Sequence, residues 1–257
     1  MLGERIWDSG SLDVSVLCLL WVVLDSEQTQ PELLLSGGSD KRVRVWKRKL
    51  TEEGLLEGLE MVSMFGVTGG ILAFTQNSTS LATASESFPI ALWKLSNLTF
   101  DWSDFEPYEV LRGHIGGVTC LAFSPDGGQL LSGGKDQALM VWDVSSSPAV
   151  LSKSLPHSHK DWITGCVWTP DCVISTSNDG RLCLWDLQAG QCLREISWKN
   201  PLTSVCCLGR YVMAGCSEGA LHVWNWETST EICHIAAHKQ HIHHCSLLPN
   251  TGEAAGK

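Results

Sequence analysis

The sequence is short of tyrosine, of positive charge, of paired cysteine motifs and of long apolar runs. Two tyrosines stand against twelve tryptophans in 257 residues, a skew that assigns the indole one recurring structural place. Lys and Arg total 18 against 28 Asp and Glu, leaving a net charge of -10 at pH 7. A surface with that excess repels phosphate backbones at long range, which argues against nonspecific binding to nucleic acid or to anionic membranes. The one dense basic stretch, Lys41, Arg42, Arg44, Lys47, Arg48 and Lys49, reads as a solvated strand edge and loop. No CxxC pair occurs among the 11 cysteines, and no Cys/His spacing fits a zinc finger. Cys18, Cys120, Cys166, Cys183 and Cys206 lie inside apolar runs instead, where reduced cysteine behaves as a small hydrophobe. That usage suits a reducing compartment, so the expected location is the cytoplasm, with the nucleus as the alternative.

The apolar segment at 14–24 is too short to cross a bilayer. It is preceded by Glu4, Asp8 and Asp13 where a secretion signal needs positive charge, so a buried strand is expected there and no membrane association. The glycosylation sequons at Asn77 and Asn97 then carry no meaning, because glycosylation needs secretion. GxSxG, HExxH, P-loop and GxGxxG motifs are missing from the contexts that give them chemistry. No catalytic residue, cofactor or small-molecule substrate is therefore expected. His238, His241, His243 and His244 form a cluster, but on a strand His241 and His243 share a face that His244 leaves, and no metal is assigned. Cys206 and Cys207, as strand neighbours, point to opposite faces and are poorly placed for a disulfide with each other.

What is present is a repeat. Short alternating runs end on tryptophan five times: RVRVW at Trp46, PIALW at Trp93, ALMVW at Trp142, RLCLW at Trp185 and ALHVW at Trp224. Each alternates as a half-buried strand does. Their separations of 47, 49, 43 and 39 residues lie around the period of about 40–45 that marks a propeller blade. Six residues before these tryptophans stand Asp40, Ser87, Asp136, Asp179 and Glu218; four residues earlier again stand Ser36, Thr83, Ser132, Ser175 and Ala214. SGGSD, SGGKD and STSND read as a strand end and a tight turn. A third signal precedes each unit: in GHIGGVTCLAFSPDGGQLL, Gly113 and His114 open an apolar strand and SPDG makes the next turn. HKDWITGCVWTPD fits the same frame, with His159 at the place of His114, and so does DVSVLCLLW, with Cys18 at the place of Cys120.

On these motifs, over nearly its whole length, the chain resembles the WD-repeat family of β-propellers. Trp142–Asp143 and Trp185–Asp186 are the name dipeptide itself, whereas Lys47, Lys94 and Asn225 replace its aspartate elsewhere. The resemblance implies a hydrogen-bonded structural tetrad inside the blade: His114, Ser132, Asp136 and Trp142 in the third unit, and His159, Ser175, Asp179 and Trp185 in the fourth. The first unit has Leu12 at the histidine place, and the second and fifth units lack most of the tetrad, so they are expected to be less rigid.

The fold class expected is all-β: a WD-repeat β-propeller of five complete blade units plus partial terminal units, forming an incomplete ring. One domain covers 1–257, with units at about 14–60, 61–112, 113–157, 158–199 and 200–236 and a partial unit at 237–257. ERIWD at 4–8 reads as the close of a preceding blade, and 1–8 and 238–248 are expected to meet in an incomplete closing blade. The insertion at 47–60 reads as mostly loop. That at 95–111 carries Phe100, Trp102 and Phe105, which pack on an outer strand or face a partner.

A propeller presents loops at its rims, where binding residues concentrate, and aromatic side chains are the usual anchors. Trp162 is the leading contact residue, because glycine holds its place in the third unit. Trp198 and Lys199 occupy the matching loop of the fifth unit, and Lys41, Lys135 and Asn178 lie in turns expected to reach the same rim. The expected function is a non-catalytic protein-interaction scaffold in a larger multiprotein or ribonucleoprotein assembly, with other proteins as partners. The alternative is an RNA-binding ribonucleoprotein component, since the irregular units resemble the C-terminal WD-repeat arrays of telomerase- and vault-associated NACHT-type proteins. Direct RNA contact runs against the net charge.

Overall fold

Alternating apolar runs between turn residues fold as antiparallel hairpins, and the computed structural model consists of such hairpins. It describes residues 15–22, 33–51, 56–95 and 106–245. The first sheet runs β1 (Val16–Val22), β2 (Leu33–Gly38), β3 (Arg42–Leu50) and β4 (Leu56–Gly66). The second runs β5 (Ile71–Gln76), β6 (Ser80–Ser85), β7 (Ile90–Lys94) and β8 (Glu109–Leu111). The third holds β9 (Val118–Phe123), β10 (Gln129–Gly134), β11 (Leu139–Asp143) and β12 (Val150–Leu155), and the fourth β13 (Ile163–Trp168), β14 (Val173–Ser177), β15 (Arg181–Asp186) and β16 (Gln191–Ser197). The fifth holds β17 (Leu202–Leu208), β18 (Tyr211–Cys216), β19 (Ala220–Asn225) and β20 (Thr230–Ala236). These five four-stranded sheets, each an antiparallel meander in chain order, are the blades of a WD-repeat β-propeller.

The chain divides into two compact units, 1–156 with the first three blades and 157–257 with the last two. In the first unit Leu35, Val45, Ile71 and Trp93 bind blades one and two, and Ala84, Leu92, Val118 and Leu130 bind blades two and three. In the second unit Ile174, Leu184, Leu202 and Trp224 bind blades four and five. Burial of each such large side chain contributes about 1.5–3 kcal/mol. The middle strands carry this core: β6 and β14 are buried at every position, whereas the outer strand β20 is exposed throughout.

Each turn between second and third strands repeats one backbone feature. The residue after the aspartate place is left-handed in all five blades: Lys41, Phe88, Gln137, Gly180 and Gly219, with φ of 63, 80, 65, 78 and 85°.

Two expectations change, and others fall outside the described residues. The insertion at 47–60 is not mostly loop. β3 and β4 pair from Arg42 and Gly66 out to Leu50 and Leu56, and the blade runs on to Gly66, past the unit end read at 60. Its polar residues sit on an outer hairpin, which tolerates them as a loop does. The strand β1 is present but not buried: Leu17, Leu19 and Trp21 are exposed. Within its unit it packs on β5 through Cys18, whose thiol reaches the Ile71 carbonyl at 3.5 Å, and its other face meets solvent. The segments 4–8, 96–105 and 246–248, with Leu12, lie outside the described residues, and so does the closing blade expected from 1–8.

Candidate interaction rim

The tetrads hold the loops that form the rim. In the third blade Trp142 Nε1 donates to Ser132 Oγ at 2.9 Å. Ser132 Oγ lies 2.8 Å from His114 Nε2, and His114 Nδ1 lies 2.8 Å from Asp136. An indole only donates and an ionised carboxylate only accepts. For a neutral imidazole that sets the direction of the chain: Trp142 to Ser132, Ser132 to His114, His114 to Asp136. Asp136 also accepts the backbone N–H of Ile115 at 2.9 Å, so the tetrad clamps the loop that follows its histidine. The fourth blade repeats this with Trp185, Ser175, His159 and Asp179 at 2.8, 2.7 and 3.2 Å, and Asp179 accepts the N–H of Lys160 at 2.8 Å.

The irregular blades keep part of the tetrad or fill its place with other side chains. In the first, Trp46 donates to Ser36 at 2.8 Å, and Asp40 is held by Arg44 at 2.6 Å. In the second, Trp93 donates to Thr83 at 3.0 Å. The fifth has alanine and Trp198 at the serine and histidine places. There Trp198 packs on buried His222 with ring centroids 4.1 Å apart, and His222 stacks on Trp224 at 5.4 Å.

Burial raises the pKa of Asp136 and of Asp179, but their histidines and the backbone N–H groups outweigh it, leaving both carboxyls below the usual range. The Arg44 hydrogen bond lowers that of Asp40. A depressed folded-state pKa gives stability that is present above the unfolded value, about 3.9, and is lost as pH falls through the folded one. Thermal midpoints are therefore expected to hold level between pH 7 and about 5 and to drop below about pH 4. Asp179→Asn is expected to flatten that acid limb in melts recorded against pH; an unchanged limb would remove Asp179 as its source.

The rim is built from the loop after each outer strand and the turn between second and third strands, stitched by backbone bonds. Within the first unit, Lys135 donates its N–H to Gly117 at 2.8 Å. Lys41 is exposed, Lys135 is half-buried, and Ile115 is 84% exposed. Within the second unit, the Asn178 N–H bonds the Trp162 carbonyl at 3.0 Å, and the Trp198 N–H bonds the Gly180 carbonyl at 2.7 Å. The structure thus brings Trp162, Asn178, Trp198 and Lys199 along one edge of the second unit. Trp162 is 47% exposed on a backbone fixed at both ends, its own N–H bonding Asp161 at 2.7 Å. Lys199 is exposed, whereas Trp198 turns inward onto His222. Ile115 and Phe88, both exposed in rim turns, were not singled out from sequence; an apolar side chain inside a turn was the available signal. The His241 and His243 rings lie 4.7 Å apart, and His238 is exposed. Among the described residues no group of three or more His, Cys, Asp or Glu is placed to hold a metal.

Comparison with known proteins matches residues 16–257 to a family described as the second β-propeller of TEP-1. The chain is 32% identical over 253 residues to telomerase protein component 1 of Mus musculus, covering 95% of this chain and 9% of that protein. It is 32% identical over 246 residues to the Rattus norvegicus protein of the same name, covering 91% and 9%. A WD repeat-containing protein 1 from Gallus gallus is 26% identical over 243 residues, covering 88% of this chain and 36% of that one. The chain therefore spans about a tenth of the telomerase components it matches. A crystal structure of the computationally designed Ika8 protein superposes with a TM-score of 0.67 at 19% identity, over 87% of this chain and 64% of that one, a likeness of fold alone.

Proposed function

This chain belongs to the TEP-1 second β-propeller family, and from that premise we propose that it is a non-catalytic protein-interaction module of a larger assembly, multiprotein or ribonucleoprotein, in the cytoplasm or nucleus. The observation that carries this reading is Trp162, a half-exposed indole on a rim whose backbone is tied by Asp161 and Asn178. A large aromatic surface held in place loses little entropy on contact and anchors a protein partner well. Asn178, tied to Trp162, and exposed Lys199 are the polar contacts of that rim in the second unit, and Lys41 and Lys135 those of the first unit's own rim. The likeness to proteins named telomerase protein component supports the ribonucleoprotein setting. The net charge of -10 favours contact through protein over contact through RNA.

Affinity capture with the whole chain and with Trp162→Ala, quantified by mass spectrometry, tests the reading. Specific protein partners are expected to fall at least tenfold with Trp162→Ala and to persist with Leu193→Ser, a change on the exposed outer strand β16. Equal recovery from both variants would remove Trp162 as the anchor. RNA recovered in place of protein, with a steep salt dependence, would favour direct RNA binding.

A further inference from the structure

After β20 the chain returns to the inner strand of the fifth blade, and residues 242–245 lie against β17. Thr203 Oγ1 donates to the Ile242 carbonyl at 2.5 Å, and the Ile242 N–H reaches the Cys216 carbonyl at 3.3 Å. Ile242 fills the space over Gly215, where a Cβ would meet its Cγ2 at 2.6 Å. The same contact occurs one step earlier in this unit: Thr164 Oγ1 donates to the Leu202 carbonyl at 2.7 Å, where β17 docks on β13. Residues 242–245 therefore dock on the fifth blade as the first strand of the fifth blade docks on the fourth.

The two steps differ in chemistry. Aligned on Ile163, Leu202 and Ile242, Val167 and Val205 of the earlier step correspond to Cys206 and Cys245 of the later one. The Cys206 and Cys245 sulfurs are 3.6 Å apart. Ser204, on the same face of β17 as Cys206, bonds the Cys245 sulfur at 3.3 Å. Valine would satisfy an apolar seam, so two facing thiols with a hydroxyl beside them add reactivity that packing does not need. Four other thiols are quenched by burial, which pushes Cys18 up to about 12 and Cys207 up to about 11 and raises Cys172 and Cys183. Cys245 goes the other way: the Cys206 hydrogen bond lowers its pKa more than burial raises it, and Ser204 adds to the lowering. A thiolate is the reactive form.

We propose that Cys206 and Cys245 are a peroxide-responsive thiol pair whose disulfide staples residues 242–245 to the inner strand of the fifth blade. The Cys245 thiolate attacks one oxygen of hydrogen peroxide; an S–O bond forms, the O–O bond breaks, and hydroxide leaves and takes a proton. Cys206 then attacks the sulfur of this sulfenic acid, losing its proton; the S–S bond forms, the S–O bond breaks, and a second water leaves. Two thiols and one peroxide give one disulfide and two waters. The sulfurs close from 3.6 Å to about 2.05 Å by side-chain rotation. A dithiol reductant reverses the bond by exchange. The staple acts independently of the rim and of its partner.

The test uses the whole chain carrying Cys207→Ser, because Cys206 and Cys207 fall in one tryptic peptide. The reduced protein is treated with hydrogen peroxide, blocked with a maleimide and digested. A peptide joining 200–210 to 240–257, two hydrogens lighter than its parts, is expected, and a dithiol should abolish it. Amide exchange at 242–245 is expected to slow at least tenfold on oxidation, and neither Cys245→Ser nor the better-packing Cys245→Val should show that change. With Cys206→Ser, a sulfenic-acid trap is expected to label Cys245. Recovery of both peptides fully maleimide-blocked after peroxide treatment, or oxidation that leaves exchange at 242–245 unchanged, overturns the proposal.

Discussion

Asp136→Ala is expected to lower the thermal midpoint of the first unit by roughly 10 °C, a loss of about 3 kcal/mol. The carboxylate and its histidine are almost wholly buried, with side-chain exposures of 4% and 1%. Removing it leaves the Nδ1–H of His114 and the N–H of Ile115 without their acceptor, and an unpaired buried donor costs about 1–3 kcal/mol. Asp136→Asn keeps an oxygen there and is expected to cost about half as much. The sharper comparison is Asp40→Ala in the first blade. Asp40 and Arg44 are more exposed, at 19% and 11%, and the freed guanidinium can turn to water. About 1 kcal/mol is expected. Calorimetry or denaturant melts of the three variants decide it. Equal losses for Asp40→Ala and Asp136→Ala would mean that burial does not set the worth of the tetrad.

The features legible in sequence are those with a repeating chemical requirement. The indole of Trp142 or Trp185 needs a hydroxyl ten residues before it, and the histidine needs a carboxylate. So the inner three strands, the turns and both complete tetrads stand out as spacings. The outer strands have no such requirement. β20 is exposed along its length, and β4 hid in what read as a loop because exposed Glu57 and Glu60 satisfy a solvent-facing hairpin equally well. Substitutes for the tetrad were hidden for a different reason. Arg44 holding Asp40, and Trp198 and His222 filling the fifth blade, arise from residues whose places are neutral elsewhere: Met140, Cys183 and Ala91 occupy the position of Arg44 and His222. Of the rim, Trp162 was marked by its contrast with Gly117. Trp198, read as lying in the matching loop of the fifth unit, stands at the place of the tetrad histidine, which pulls it inward. The facing of Cys245 with Cys206 joins the unit at 200–236 to the partial unit at 237–257, and no spacing within one unit encodes it.

Gly180→Ala is expected to cost about 2–4 kcal/mol and to weaken partner binding at Trp162. The left-handed φ alone does not explain the glycine. Lys41, Phe88 and Gln137 adopt the same conformation in the matching turns of other blades, so a side chain there costs only about 1–2 kcal/mol. The difference is the approach of the next loop. A Cβ on Gly180 would run into the Trp198 carbonyl oxygen and meet the Asn200 carbonyl oxygen at 3.1 Å, and both are backbone atoms that no rotamer change can move aside. Either the loop carrying Trp198 and Lys199 shifts, breaking the bond from the Trp198 N–H to the Gly180 carbonyl, or the turn carrying Asn178 does, releasing its bond to Trp162. Overpacking of this kind adds about 1–3 kcal/mol. Gly219→Ala faces the same obstruction from the His238 and Gln240 carbonyls and is expected to cost a similar amount, but it lies away from Trp162 and should leave partner capture intact. Melting curves and quantitative capture of the two variants separate the effects. If Gly180→Ala melts like the parent, the close carbonyl contact is not what requires glycine. If both variants lose partner equally, binding follows overall stability and not the local geometry of the Trp162 rim.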